Sequence, residues 1–233
     1  MTLHLRDHEL LNDPQPFARL LEQGDVREEL ALGTTFGFTA FHGGHLEEMT
    51  DHVAREAAQL SGASYYGVIQ PPNDQWHIPS HRIGPDQSQA LEEFLDHVDI
   101  VISLHGFGRP DLWRTLLLGG RNRDLAARVA MELIPRLPHY EVMADLATIP
   151  KPLRGLHHKN PVNRPRHAGV QIELPPRVRG RSPIFWGPLE PGTIVPHLNA
   201  LVEGLAAIAS RWPADLSSVR APDAQYSNEN PSG

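Results

Sequence analysis

A chain of 233 residues is long enough for one domain with a full hydrophobic core. Its 40% hydrophobic and 21% charged residues are the balance of a globular protein, and no run of about 18 apolar residues marks a membrane span. The net charge of −7 weighs against a general nucleic-acid binder, and the absence of cysteine leaves only His, Asp and Glu to hold a metal.

Met1-Thr-Leu-His-Leu-Arg-Asp-His lacks a basic start followed by an apolar core, so a cytoplasmic location is expected. Residues 1–33 are polar and weakly periodic, with Phe17, Leu20 and Leu21 placed to face a core from a short helix. Thr34 to Phe41 reads as a strand that Gly43-Gly44 ends. Leu46, Met49, Val53, Ala57 and Leu60 recur at three and four residues, which predicts an amphipathic helix with Glu47 on its first turn. Gly62 stands where that helix stops. Tyr65 to Ile69 is a second strand, and Ser88 to Phe94 a second helix. Val98 to Leu104 is nearly continuous in apolar character, as in a parallel strand buried on both faces. Leu125, Val129 and Leu133 mark a helix that Pro135 and Pro138 terminate, and Tyr140 to Met143 a short strand. A long polar loop, Thr148 to Ala168, leads into the strand Gly169-Val-Gln-Ile-Glu-Leu174. Leu198 to Ile208 is a last helix, bounded by Trp212-Pro213. The tail 214–233, rich in Ser, Pro, Asn and Asp, reads as disordered. Alternating strands and helices predict a single α/β domain over 1–213 with a mostly parallel sheet.

Chemistry concentrates at the strand ends. His42-Gly-Gly-His45-Leu-Glu47 closes the first strand and His105-Gly106 the third, Val98 to Leu104. Ligands of open α/β sheets bind at the carboxyl ends of strands, so two imidazoles and a carboxylate there suit a three-ligand Zn²⁺ site with a fourth position open. In Gly169 to Leu174, alternation puts Gln171 and Glu173 on the face opposite Val170, Ile172 and Leu174. A carboxylate amid an apolar strand is costly to bury unless paired or functional. Glu173 is therefore a candidate general base, the other reading being an edge strand with a solvated face or an ion pair to Arg177. Lys151, Arg154, Lys159, Arg164, Arg166, Arg177, Arg179 and Arg181 crowd one segment whose only acid is Glu173. That segment fits either an anionic ligand or a solvated basic loop.

The order His-Gly-Gly-x-x-Glu, Leu-His-Gly, Gly-Val-Gln-Ile-Glu-Leu resembles the phage and bacterial poly-γ-glutamate hydrolase family. His77-Ile-Pro-Ser80, Gly119-Gly120-Arg-Asn-Arg-Asp-Leu125 and Asn160-Pro-Val-Asn-Arg164 are similar to further family segments, so the resemblance covers roughly 34–180. It implies a three-layer α/β/α fold around a mostly parallel mixed sheet, zinc carboxypeptidase-like. It also implies that His42, Glu47 and His105 ligate Zn²⁺ and that Glu173 is the base, with His77, Asn163 and Arg164 as substrate contacts; Arg177 of the basic segment is a further candidate contact. His45 stands where the family often has glycine, and Pro175-Pro176 replaces its usual Ser-Arg/Lys-Gly, which puts the loop near Arg177 and Arg179 in question. The implied reaction is metal-assisted hydrolysis of γ-glutamyl bonds in poly-γ-glutamate or a related anionic peptide, with Arg164 gripping a carboxylate or the developing oxyanion.

Other readings stand beside it. A shorter cleft would take a small N-acyl acidic amino acid. A nucleic-acid or polyanion binding module would use the basic stretch, although Lys151 to Arg181 holds no aromatic residue for base stacking. A serine hydrolase would pair Ser103 with His105, but no Gly-x-Ser-x-Gly elbow is present. An inert relative would keep zinc without turnover.

Overall fold

The computed structural model describes residues 13–73, 75–181 and 195–215, and side chains as far as residue 212. In chain order these form α1 (Pro16–Leu21), β1 (Arg27–Ala31), β2 (Thr34–Gly44), α2 (Thr50–Ser61), β3 (Ala63–Gln70), α3 (Gln89–His97), β4 (Ile100–Gly106), β5 (Thr115–Leu118), α4 (Arg123–Arg136), β6 (Glu141–Met143), β7 (Gly169–Leu174) and α5 (Pro196–Asp215). The strands make one sheet in the order β1-β3-β2-β4-β7-β5-β6. β3, β2, β4 and β7 run parallel through its centre. β1 and β5 join antiparallel to β3 and β7, and β6 pairs parallel to β5.

Two apolar clusters give the sheet its two covering layers. On one face Phe36, Phe38, Ile102, Leu104, Val170 and Ile172 meet Val53 and Ala57 of α2, Leu125 and Val129 of α4, and Leu201 and Leu205 of α5. On the other, Phe41, Tyr66, Val68 and Val101 pack with Phe17 and Leu20 of α1 and with Leu91 and Phe94 of α3. The result is the expected α/β/α arrangement around a mixed sheet. From β2 the chain crosses to β3 on one side and then returns to β4 on the other, so the order reverses beside β2. Such a reversal leaves a crevice outside the carboxyl ends of the flanking strands.

β2 runs on through His42 to Gly44, past the point where the glycines were expected to end it. Its register against β3 shifts between Ala40 and Gly43, a bulge that carries His42. Gly44 then has φ +72°, and a Cβ there would lie 2.3 Å from the Gln70 carbonyl oxygen, so only glycine fits.

Several boundaries differ from the sequence reading. Glu47 is not on the first turn of α2. It lies in the turn before, where its carbonyl accepts from Thr50 N–H and Thr50 Oγ, and Met49 in the left-handed region starts the helix only at Thr50. β1 was not foreseen because Arg-Glu-Glu-Leu-Ala has the charges of an edge strand rather than a buried run. β5 was missed because four residues are too few to show a period. α4 extends one residue past Pro135, and α5 reaches Asp215, past Pro213. β7 is no edge strand: β4 and β5 flank it and all six residues are buried. No helix among the described residues is long and apolar enough to cross a membrane. The tail expected to be disordered lies, from residue 216, outside the described residues.

Candidate metal centre

The central strands lay out the site in two rows on one face of the sheet. Register places His105 of β4 opposite Glu173 of β7, and Ser103 opposite Gln171. The same ladder logic sets Thr39 of β2 beside Ser103. His105 and Glu173 form the upper row at the carboxyl edge, and Thr39, Ser103 and Gln171 form a buried polar row beneath.

The bulge and the following turn bring His42 and Glu47 to the upper row. His42 Nε2 lies 2.9 Å from the Ile78 carbonyl oxygen. A carbonyl only accepts, so that nitrogen carries the hydrogen, and in the neutral ring Nδ1 presents its lone pair. Nδ1 faces Glu47 Oε1 at 2.8 Å, and the carboxylate is also an acceptor. Two buried acceptors at that distance need a cation between them, a proton or a metal ion. His105 repeats the arrangement: Nε2 is 3.1 Å from Ser103 Oγ, and Nδ1 is 3.4 Å from Glu47 Oε2. The Gly106 N–H also donates to Oε2 at 3.0 Å. The two rings stand edge to face with centroids 5.3 Å apart.

Electrostatics follow this geometry. Burial pushes Glu47 up, but the His42 and His105 charges and hydrogen bonds overcome it and hold the carboxyl well below the usual range. For His105, burial lowers the pKa and the Glu47 carboxylate more than reverses that. Glu173 moves the other way. Its own burial raises it, the nearby Glu47 charge adds to this, and His105 and the Gln171 hydrogen bond only partly compensate. Two carboxyl groups side by side are thus pushed apart, one firmly ionised and one nearer to exchanging a proton at neutral pH.

Glu173 is held by a directed chain. The Val162 N–H donates to Asn160 Oδ1, Asn160 Nδ2 donates to Gln171 Oε1 at 2.8 Å, and Gln171 Nε2 donates to Glu173 Oε1 at 2.7 Å. Each link fixes the amide orientation of the next. Gln171→Leu is expected to leave Glu173 Oε1 buried without its donor, costing about 1–3 kcal/mol of stability and about tenfold in turnover. Urea unfolding and steady-state rates measure both; no change in either would show that the chain does not hold the carboxylate.

His77 and His105 both approach the His42–Glu47 pair. His42, Glu47 and His77 each offer a ligand atom within 4.8 Å of the others, and the His77 ring lies 4.7 Å from His42. His77 is exposed, whereas His42, Glu47, His105 and Glu173 are buried. The remaining expected substrate contacts are placed elsewhere. Asn163 spends its side chain on the loop, accepting from Arg121 N–H and donating to the Gly155 and His157 carbonyls. Arg164 is exposed at the end of the Pro161–Asn163 turn. Arg177 is exposed beside Tyr140, and its carbonyl is paired with His197. The guanidinium that burial brings against the cluster is Arg179. It packs on Gly106, where a Cβ would lie 2.8 Å from Arg179 Cζ, and donates to the Leu174 and Glu48 carbonyls. Burial pulls its pKa down, opposed by Glu47, Glu48 and Glu173. Arg181 pairs with the Glu48 carboxylate, so the turn after β7 is tied to the turn that carries Glu47.

The fold is shared with solved structures. A bacteriophage poly-gamma-glutamate hydrolase superposes with a TM-score of 0.69 at 19% identity, covering 82% of this chain and 90% of that one. The zinc-free apo form of YndL gives 0.65 at 22% identity, over 87% and 94% of the two chains. Among curated proteins no sequence matches significantly. A family model described as Poly-gamma-glutamate hydrolase matches residues 19–185, well over half the chain and the whole span that carries this cluster, and the chain belongs to that family.

Proposed function

We propose that the protein is a zinc-dependent amide hydrolase that cleaves γ-glutamyl bonds in poly-γ-glutamate or a related anionic peptide. The observation that carries this is the pair of imidazoles whose Nε2 atoms are already engaged and whose Nδ1 atoms converge on one carboxylate. Two histidines and a glutamate are an established catalytic zinc set, and each ring here has the outer hydrogen bond that such ligands need. His42 Nδ1, Glu47 and His105 Nδ1 would hold the ion. When bound, zinc lowers the pKa of water to about 7 and polarises a carbonyl.

The chain's own groups do the rest. The Ile78 carbonyl fixes the tautomer and orientation of the His42 ring, and the Ser103 hydroxyl anchors the orientation of the His105 ring. Glu173 accepts a proton from the attacking water and returns it to the leaving amine as the C–N bond breaks. A carboxylate held by Gln171 at the edge of the cluster is placed for both transfers. Arg179 supplies fixed positive charge beside the carboxylates.

The same Ser103–His105 contact is what a serine hydrolase would require. Ser103, however, is wholly buried in the lower row, beneath the groups that would meet substrate. Chelation of the purified protein is expected to abolish γ-glutamyl hydrolysis and added Zn²⁺ to restore it. Full activity in the chelated protein would instead favour a metal-free nucleophile.

A further inference from the structure

Two segments that are tied to the centre at different points meet again through their histidines. One runs from His77, beside His42, through Ile78 to the turn Ser80–Arg82 and carries His81. Four residues span at most about 14 Å, so His81 is close to the reacting region. The other is the loop whose Asn160 supports Gln171 and hence Glu173, and it carries His157, His158 and Lys159. The His81 ring lies against His157 with centroids 4.8 Å apart, and His157 stacks on His158 at 4.7 Å and 20°. All three rings are exposed.

We propose that His81, His157 and His158, with Lys159, form a carboxylate-binding subsite that grips an acidic side chain of the substrate one or more residues away from the bond being cleaved. The subsite deepens the γ-glutamyl reading above and rests on it for the identity of the anion.

Three observations carry it. First, His157 Nδ1 accepts the Lys159 N–H at 3.1 Å, so in the neutral ring the hydrogen is on Nε2, available to an external acceptor. Second, among the described residues the groups that act electrostatically on the His81 and His157 rings are basic. The charged groups acting on His81 are Arg82 and Lys159, and those acting on His157 are His81, His158 and Lys159. Burial first, and these cations after it, lower both pKa values. Third, Asn163 pins the His157 carbonyl, so the stack is presented by a braced loop. Ring stacking alone would hold the two segments together, but it gives no reason to gather basic groups only.

The sign with pH is fixed by this arrangement. A bound carboxylate raises the His81 and His157 pKa values that the free protein depresses, so binding takes up protons and tightens as pH falls through the histidine range.

The test uses the whole chain and two substrates, long poly-γ-glutamate and an N-acylated γ-glutamyl dipeptide. In the double variant His157→Gln/His158→Gln, KM for the polymer at pH 6 is expected to rise about tenfold. At pH 8 the difference should shrink, and kcat/KM for the dipeptide should stay as in the unmodified protein. His81→Gln, from the other segment, should reproduce the effect. Equal losses on both substrates would make the stack a structural brace, and an unchanged polymer KM would remove the subsite. Should no γ-glutamyl bond be cleaved at all, the proposed function fails separately. Binding of fluorescently labelled poly-γ-glutamate then decides the subsite: pH-dependent binding lost in the double variant supports it, and binding unaffected by the variant overturns it.

Discussion

Glu173→Gln is expected to lower turnover about 10³-fold, some 4 kcal/mol in the barrier, while zinc content stays stoichiometric. The amide keeps the size of the side chain and can still meet Gln171, but it cannot take a proton from water. Its neighbours Glu47, His42 and His105 are untouched, so the ligand set stays intact. Stability should move in the opposite direction. Glu173 is buried beside a second carboxylate, and both burial and that charge act against its ionised form. Replacing it with a neutral isostere removes this penalty, so Tm should hold or rise. Metal analysis, thermal melting and steady-state kinetics on one preparation check all three. Turnover within tenfold of the unmodified enzyme would remove Glu173 from the role of base. Loss of zinc would instead make it part of the ligand set.

How much of the site is legible in the sequence depends on which contacts are local. His42 and His105 were legible because each closes an apolar run, and strand ends are where α/β sheets place ligands. Ser103 and Gln171 were half legible. Alternation puts Ser103 on the face of His105 and Gln171 on the face of Glu173, but not that β4 and β7 are neighbours in register. That pairing joins segments separated by the whole of α4 and the long loop, and no period reports it. Glu47 was found as a residue and misplaced as an element, because the left-handed Met49 delays α2 in a way that hydrophobic spacing does not show. Arg179 was passed over for Arg164 and Arg177. All three lie in one basic segment, and only the turn after β7 turns Arg179 inward onto Gly106. The stack of His81 on His157 is likewise a product of two distant loops.

His105→Ala should cost zinc affinity more than about 100-fold, whereas His77→Ala should keep a full equivalent of zinc and impair catalysis instead. Both imidazoles are close enough to the His42–Glu47 pair to compete for the third ligand position. Three features favour His105. It stands on a central strand, it is buried, and Ser103 already occupies its outer nitrogen, so little entropy remains to be lost on binding an ion. His77 is exposed on a connecting segment. Were all four side chains to bind together, the ion would have no open position, and a closed site is structural rather than catalytic. Ser103→Ala offers an internal check. It should weaken zinc binding by about 10–100-fold through the freed His105 ring, less than loss of the ligand itself. The opposite ranking, with His77→Ala zinc-free and His105→Ala fully loaded, would make the tight triplet His42, Glu47 and His77 the metal set. His105 would then belong with Glu173 on the proton-transfer side of the cleft.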